Sequence, residues 1–318
     1  NADMTIYGRY GTRSHQTESK EDVSLEGFSK ALSGALELHA LFPKNKAALL
    51  AKRGPESDVK VPEQFPSFKG KYGPKLDYEG KVVQSCIHCH QVGEALRLAS
   101  RSADKLVSDK VLYPYPNPKI LGLILDPKEK AKVQQVATGS SADQDGFRAG
   151  DEITTLSGQP ILSIADVQWV LHHAGDVTDL NAEVLRDGQK QSRTLTLTKG
   201  WRQKDNISWR ATSWDLRRMT LGGLLLESLP GEVRKDLKIP AGELALRAKH
   251  VGQYNEHAVA KRAGFLKNDI IVAVDGDRSP ITESSLMAKL VQTKRPGDKI
   301  TMTVLRGQQR LELSFAQQ

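Results

Sequence analysis

Cys86-Ile87-His88-Cys89-His90 places the chain's only two thiols at C-x-x-C spacing with an imidazole directly after the second. That is the attachment signature of a c-type haem. One turn of chain lets Cys86 and Cys89 each form a thioether to a different vinyl group of one porphyrin. His90 then lies under the iron as proximal ligand, and His88 inside the loop points away. Three other chemistries compete for the same residues. A Cys86–Cys89 disulfide needs no histidine. A redox dithiol normally sits in a thioredoxin-like setting, whereas the residue before the first thiol here is Ser85. Zinc would take both thiols and a histidine, but structural sites are four-coordinate and no second cysteine pair exists. Covalent haem c uses all three residues together, so Cys86, Cys89 and His90 are the expected cofactor site.

The sixth iron position bears on what such a haem would do. Electron-transfer haems often take a downstream methionine, yet no Met occurs between His90 and Leu216. His39 is the first candidate for the sixth ligand, and an open position would instead permit sensing. The surroundings are those of a globular protein. At 318 residues, 38% of them hydrophobic, the chain is expected to form two or three domains. The formal net charge of +8 is spread along the sequence without a nucleic-acid motif, so no nucleic acid is expected; basic runs such as Lys128 to Lys132 read as a solvated face, with an acidic redox partner as the alternative. No apolar run has the length of a transmembrane segment. Haem attachment requires export, yet no signal peptide precedes Asn1. Asn1-Ala2 is what a trimmed expression tag leaves, so the start is expected to be processed, and haem would be missing from a recombinant product made without the attachment machinery.

The elements around this motif are announced by an internal repeat. Gly146-Phe147-Arg148-Ala149-Gly150-Asp151-Glu152-Ile153, then Gly158, matches Gly264-Phe265-Leu266-Lys267-Asn268-Asp269-Ile270-Ile271, then Gly276, at a constant offset of 118. Each copy continues with a helical stretch, Ile164 to His172 and Thr282 to Gln292. Each then predicts a hairpin, turning at Asp187-Gly188 or at Gly307.

These residues resemble the circularly permuted PDZ domains of HtrA-type extracytoplasmic proteases, over roughly the last 200 residues. The second copy is the closer match, through Leu226 to Leu237, Leu244-Ala245-Leu246 and Ala258 to Gly264. Asp145 in the first copy and Asn268 in the second depart from the pattern. The resemblance implies peptide capture: a peptide adds as a strand to a sheet edge, with its carboxylate in a nest of backbone N–H groups. It makes Leu121, Gly122, Leu123 and Ile124 the loop and strand of the first groove, and Gly222, Gly223, Leu224 and Leu225 those of the second. Val167, Val170 and Leu171, and Leu286 and Leu290, would floor the grooves. These apolar residues at helical spacing read equally as core. Pro127 lacks a ladder donor, which makes the first groove the weaker candidate. The family's trypsin-like nucleophile sequence is absent from the chain, so no protease activity is expected of it.

The remaining segments are less regular. Met4 to Tyr10 alternates like a strand, and residues 1–42 resemble the later half of a thioredoxin-like domain. Leu25, Phe28, Leu32, Leu36 and His39 share a helical face behind the possible N-cap Ser24. The Pro-, Lys- and Gly-rich stretch from Pro43 to Tyr78 is expected to be irregular. A short helix follows the haem motif through Val92, Ala95, Leu96 and Ala99. Three of four tryptophans fall between Trp201 and Trp214, each near arginine, as a packed linker. The expected organisation is multidomain α+β: an irregular, mostly helical haem-c-like region (1–118), PDZ-like sheet modules with helices at 119–199 and 219–318, and a linker at 200–218. The function this implies is a periplasmic or otherwise extracytoplasmic haem protein. Its PDZ modules would bind peptide or protein C-termini and tether electron transfer or redox sensing to a partner. The alternative is a PDZ adaptor or chaperone with a Cys86–Cys89 disulfide switch.

Overall fold

The computed structural model describes residues 1–17, 19–102 and 106–318. Its longer helices are α1 (Leu25–Ala40), α2 (Cys89–Ser102), α3 (Ile164–His173), α4 (Ser213–Leu221) and α5 (Glu283–Thr293). The strands are β1 (Leu123–Leu125), β2 (Val133–Val136), β3 (Glu152–Leu156), β4 (Gln159–Pro160), β5 (Thr178–Arg186), β6 (Gln189–Leu197), β7 (Leu224–Ser228), β8 (Leu246–Val251), β9 (Ile270–Val274), β10 (Lys299–Arg306) and β11 (Gln309–Ala316). The chain divides into two compact units, one of residues 1–58 with 113–205 and one of 59–112 with 206–318. Residues 1–118 therefore do not form a separate haem-c-like body, because each part folds with a different PDZ copy. The Trp/Arg stretch likewise divides after Asp205.

In the first unit, β1 pairs with β2, and a four-stranded sheet runs in the order β4-β3-β5-β6. In the second, five antiparallel strands run β11-β10-β9-β8-β7, which leaves β7 at the edge. Both hairpins form as the alternation predicts, with Arg186 opposite Gln189 and Arg306 opposite Gln309. The repeated Gly-Phe…Asp motif has a structural cause. Asp151 and Asp269 are buried carboxylates. Asp151 accepts from Nε and Nη2 of Arg186 at 2.6 and 2.8 Å, and Asp269 from the same atoms of Arg306 at 2.8 and 2.7 Å. Each guanidinium also donates to the motif's first glycine, at the carbonyl of Gly146 or Gly264. The hairpin is thereby clamped to the loop by charge-assisted bonds.

Helix α1 starts as predicted, with Ser24 Oγ accepting the Gly27 N–H at 2.9 Å, but it faces the other way. Its buried residues are Gly27, Ala31 and Gly34, while Leu25 is 84% and Leu36 70% exposed. Close approach decides this. A Cβ on Gly27 would lie 2.1 Å from the Pro127 carbonyl oxygen, and one on Gly34 would lie 2.7 Å from Leu162 Cδ2. The small-residue face fits against the PDZ surface and the leucine face does not. Met4 to Tyr10 is extended but pairs with no strand, so the thioredoxin-like hairpin is not formed there. The Pro43 to Tyr78 stretch contains only single turns, as expected.

Candidate functional site

The predicted first groove lies between β1 and α3. Residues Pro118–Leu121 form a tight turn that ends on Gly122 at φ 87°, and the Gly122 N–H points back to the Lys119 and Pro118 carbonyls. Leu121, Leu123, Val167, Val170 and Leu171 all belong to one buried cluster together with Trp201. Trp201 Nε1 donates to the Gly175 carbonyl at 3.1 Å, and Arg202 Nη2 donates to the carbonyls of Leu171, His172 and Ala174 at the end of α3. The apolar floor is thus core, filled by an indole from the chain's own next turn. Only Ile124 of the proposed lining remains half-buried.

The second groove, between β7 and α5, is also closed. Leu286 and Leu290 are buried on α5, and Leu224 on β7. Gly222 and Gly223 take φ of 60° and 90°, but the Gly223 N–H returns to the Arg217 carbonyl at 2.9 Å and so ends α4. A Cβ at Gly223 would lie 1.9 Å from the His257 carbonyl oxygen; close packing as well as backbone angle demands glycine here. A carboxylate already bridges the groove. Glu283, behind the Thr282 N-cap, accepts the Leu226 N–H at 2.7 Å and Arg217 Nε and Nη2 at 2.9 and 2.6 Å. Glu283 and Arg217 are both buried. No motif drew attention to this pair, because neither residue lies in the repeat's glycine signature.

Two cavities flank β7. One of about 550 Å³ is lined by Trp214, Leu225, Glu227, Arg247, Lys249 and His250, among others. The other, of about 370 Å³, lies at Ser228 and the start of α5, with Ile281, Thr282 and Ser285. Leu225, one of the proposed peptide-contact residues, is half-buried in the first of these.

The thiol motif folds with the second unit. Ile87 packs on a small cluster of Phe65, Phe68 and Ala95, and Cys89 is the first residue of α2. Cys86 is half-buried, with Sγ 3.3 Å from the Val82 carbonyl, and Cys89 is exposed; both are free thiols. The rings of His88 and His90 stack at 5.6 Å, and His90 Nδ1 lies 3.9 Å from Glu94. His39, the proposed sixth ligand, belongs to the other unit and bonds the Tyr7 hydroxyl at 2.7 Å. Among the described residues, no three His, Cys, Asp or Glu side chains converge as a metal cage.

This geometry agrees with the comparisons. A PDZ domain model matches residues 109–197 and 250–316; the chain carries tandem PDZ domains. Its relatives are periplasmic serine endoproteases of the HtrA type. A probable periplasmic serine endoprotease DegP-like of Marinomonas sp. (strain MWYL1) is 25% identical over 182 residues, which is 57% of this chain and 36% of the relative. The periplasmic pH-dependent serine endoprotease DegQ of Escherichia coli (strain K12) is 24% identical over 189 residues, 59% of this chain and 37% of that protein. A solved structure, HtrA-type protease AlgW with decapeptide, aligns at TM-score 0.26 and 19% identity over 43% of this chain and 40% of its own. The chain spans little more than a third of the length of the curated relatives it matches.

These findings correct one expectation. A haem electron-transfer or redox-sensing protein is not what the relatives are: they are serine endoproteases, and no haem protein is among them. Their periplasmic location, with no helix among the described residues long and apolar enough to cross a membrane, agrees with an extracytoplasmic protein.

Proposed function

We propose that this chain recognises extended peptides in an extracytoplasmic compartment, through its second PDZ domain and along β7. The observation that carries the reading is the position of β7. It is the edge of a five-stranded sheet, follows a positive-φ glycine pair, faces α5, and lines one cavity through Leu225 and Glu227 and a second through Ser228. An edge strand offers main-chain donors and acceptors to an added strand, and flanking cavities take alternate side chains. The Gly223 N–H is spent inside the chain, so main-chain pairing along β7 is the recognition mode, rather than a glycine nest for the terminal carboxylate. The incoming peptide displaces Glu283 from the Leu226 N–H. That a PDZ domain model matches the chain and that its relatives are DegP-like proteases supports peptide recognition.

The test is a library of ten-residue peptides titrated against the full chain by fluorescence anisotropy. Saturable binding that Leu225→Glu weakens at least tenfold, with exchange protection of β9 and β10 unchanged, is expected. Binding indifferent to Leu225→Glu would place recognition elsewhere.

A further inference from the structure

The first PDZ copy has a different occupant. Residues 7–14 form no helix or strand, turn at Gly11 with φ 99°, and make specific contacts with the first turn of α3 and with Lys119 in the turn before β1. The Arg9 N–H donates to Asp166 Oδ1 at 3.1 Å, and the Ser163 hydroxyl donates to the Arg9 carbonyl at 2.5 Å. Both main-chain groups of Arg9 are thus read by the start of α3. The Arg9 guanidinium lies 3.5 Å over the Trp169 ring. Gly8 lies so close that a Cβ would be 2.9 Å from Leu162 Cδ1 and 3.1 Å from Asp166 Oδ2. Asp166 is further held by buried Lys52 at 2.8 Å. Burial is the larger cause for both groups, pushing the Asp166 carboxyl up and the Lys52 ammonium down.

The other wall of the groove is engaged too. Ser24 Oγ donates to the Pro127 carbonyl at 2.9 Å, just beyond β1, and the Tyr10 hydroxyl donates to the Ser24 carbonyl. Lys119, before β1, reaches Ser14 Oγ at 3.1 Å and buried Asp22 at 3.5 Å. Asp22 also accepts the Ser14 N–H at 2.6 Å. The space left between Tyr10, Gly11 and Thr12 on one side and Pro127, Ser163 and Ile164 on the other is about 10 Å³, no more than one water needs.

We infer that the first PDZ domain is a receptor for a segment of its own chain, residues 7–14, which joins the start of α3 to Lys119 before β1. The segment is recognised by its main chain at Arg9, by the absence of a side chain at Gly8 and by a cation on Trp169. Peptides from outside reach the start of α3 and the turn before β1 only when the segment leaves. The inference concerns the first copy and stands apart from peptide recognition along β7.

Hydrogen exchange of the full chain, read by mass spectrometry with no added ligand, tests it. Residues 7–14 and the first turn of α3 are expected to be protected in the wild type. In Gly8→Val/Gly27→Val, the added atoms push the segment and α1 off their seats. Exchange of residues 7–14 and 163–166 should then rise at least tenfold while β5 and β6 keep their protection. A synthetic peptide of residues 4–16 should restore protection of residues 163–166 in that variant. Should β5 and β6 lose protection as well, Gly8→Val alone is the variant to read. Free exchange of residues 7–14 in the wild type, unchanged exchange in the variant, or failure of the peptide to restore protection would each overturn the inference.

Discussion

Removing the Glu283 carboxylate probes the closed second groove most sharply. Glu283→Ala deletes the two carboxylate acceptors of Arg217 and leaves the Leu226 N–H unpaired. Arg217 is 2% exposed, and what remains to it is the Ser208 carbonyl at 2.7 Å and the Trp214 ring at 5.0 Å. Stripping one partner from a buried ion pair costs about 3–5 kcal/mol, because the other charge stays buried without compensation. The two remaining contacts favour the lower end, so about 3 kcal/mol is expected. Replacing both charges, as Arg217→Met/Glu283→Leu, should recover stability to within about 1 kcal/mol of wild type, since an apolar pair removes the desolvation cost along with the attraction. A chain of two units need not unfold in one step. The assay is therefore native-state hydrogen exchange of β9 and β10, which report the second unit alone. A Glu283→Ala cost below about 1 kcal/mol would refute the reasoning, because it would make the pair equivalent to an exposed one.

Three further outcomes follow from the same structure. Burial pushes the Asp151 carboxyl up, but the bonds from Arg186 and the Arg148 N–H outweigh it and hold it below the ordinary range. A folded value below the unfolded one adds stability above about pH 4 that is lost as pH falls through the folded value; melting temperature against pH should show an acid limb for the first unit that Asp151→Asn flattens. Gly223→Ala meets the His257 carbonyl at positive φ and should cost about 2 kcal/mol or more, read as the melting temperature of the second unit; a loss under about 0.5 kcal/mol would contradict the packing described. Leu36→Ala on the exposed face of α1 should change stability by less than about 0.5 kcal/mol, whereas Gly34→Leu, aimed at Leu162, should release α1 and raise its exchange. The reverse pattern would restore the orientation expected from the leucines.

The repeat was legible because its signals are local. The Gly-Phe…Asp motif, the two hairpin turns and the cap Ser24 each follow from a few neighbouring residues, and all formed. Orientation and occupancy were not legible, because they depend on distant partners. The leucine stripe of α1 has the period of a core face, yet the close approach of Gly27 and Gly34 to Pro127 and Leu162 decides the packing, across a hundred residues of sequence or more. Val167, Leu171, Leu286 and Leu290 carry the composition of both groove and core; Trp201, from beyond β6, makes the first pair core, and the second pair is buried on α5. The glycines of both loops were found where the backbone needs them, but their N–H groups close helices. Glu283 was invisible as a groove residue, since a glutamate at the first turn of a helix has a sufficient reason to be there in the helix dipole alone. The electron-transfer role drawn from the thiol motif did not hold, because the motif's spacing names a chemistry irrespective of the protein around it and the relatives are serine endoproteases.

The account rests most heavily on β7 as the strand a peptide joins. Exchange of the Leu226 amide in the full chain, measured with and without a saturating peptide from the library, addresses it directly. The account predicts slower exchange at Leu226 and its β7 neighbours on binding, and tighter binding to Glu283→Gln, whose neutral side chain yields the amide more readily. Saturable binding that leaves β7 exchange unchanged would contradict it.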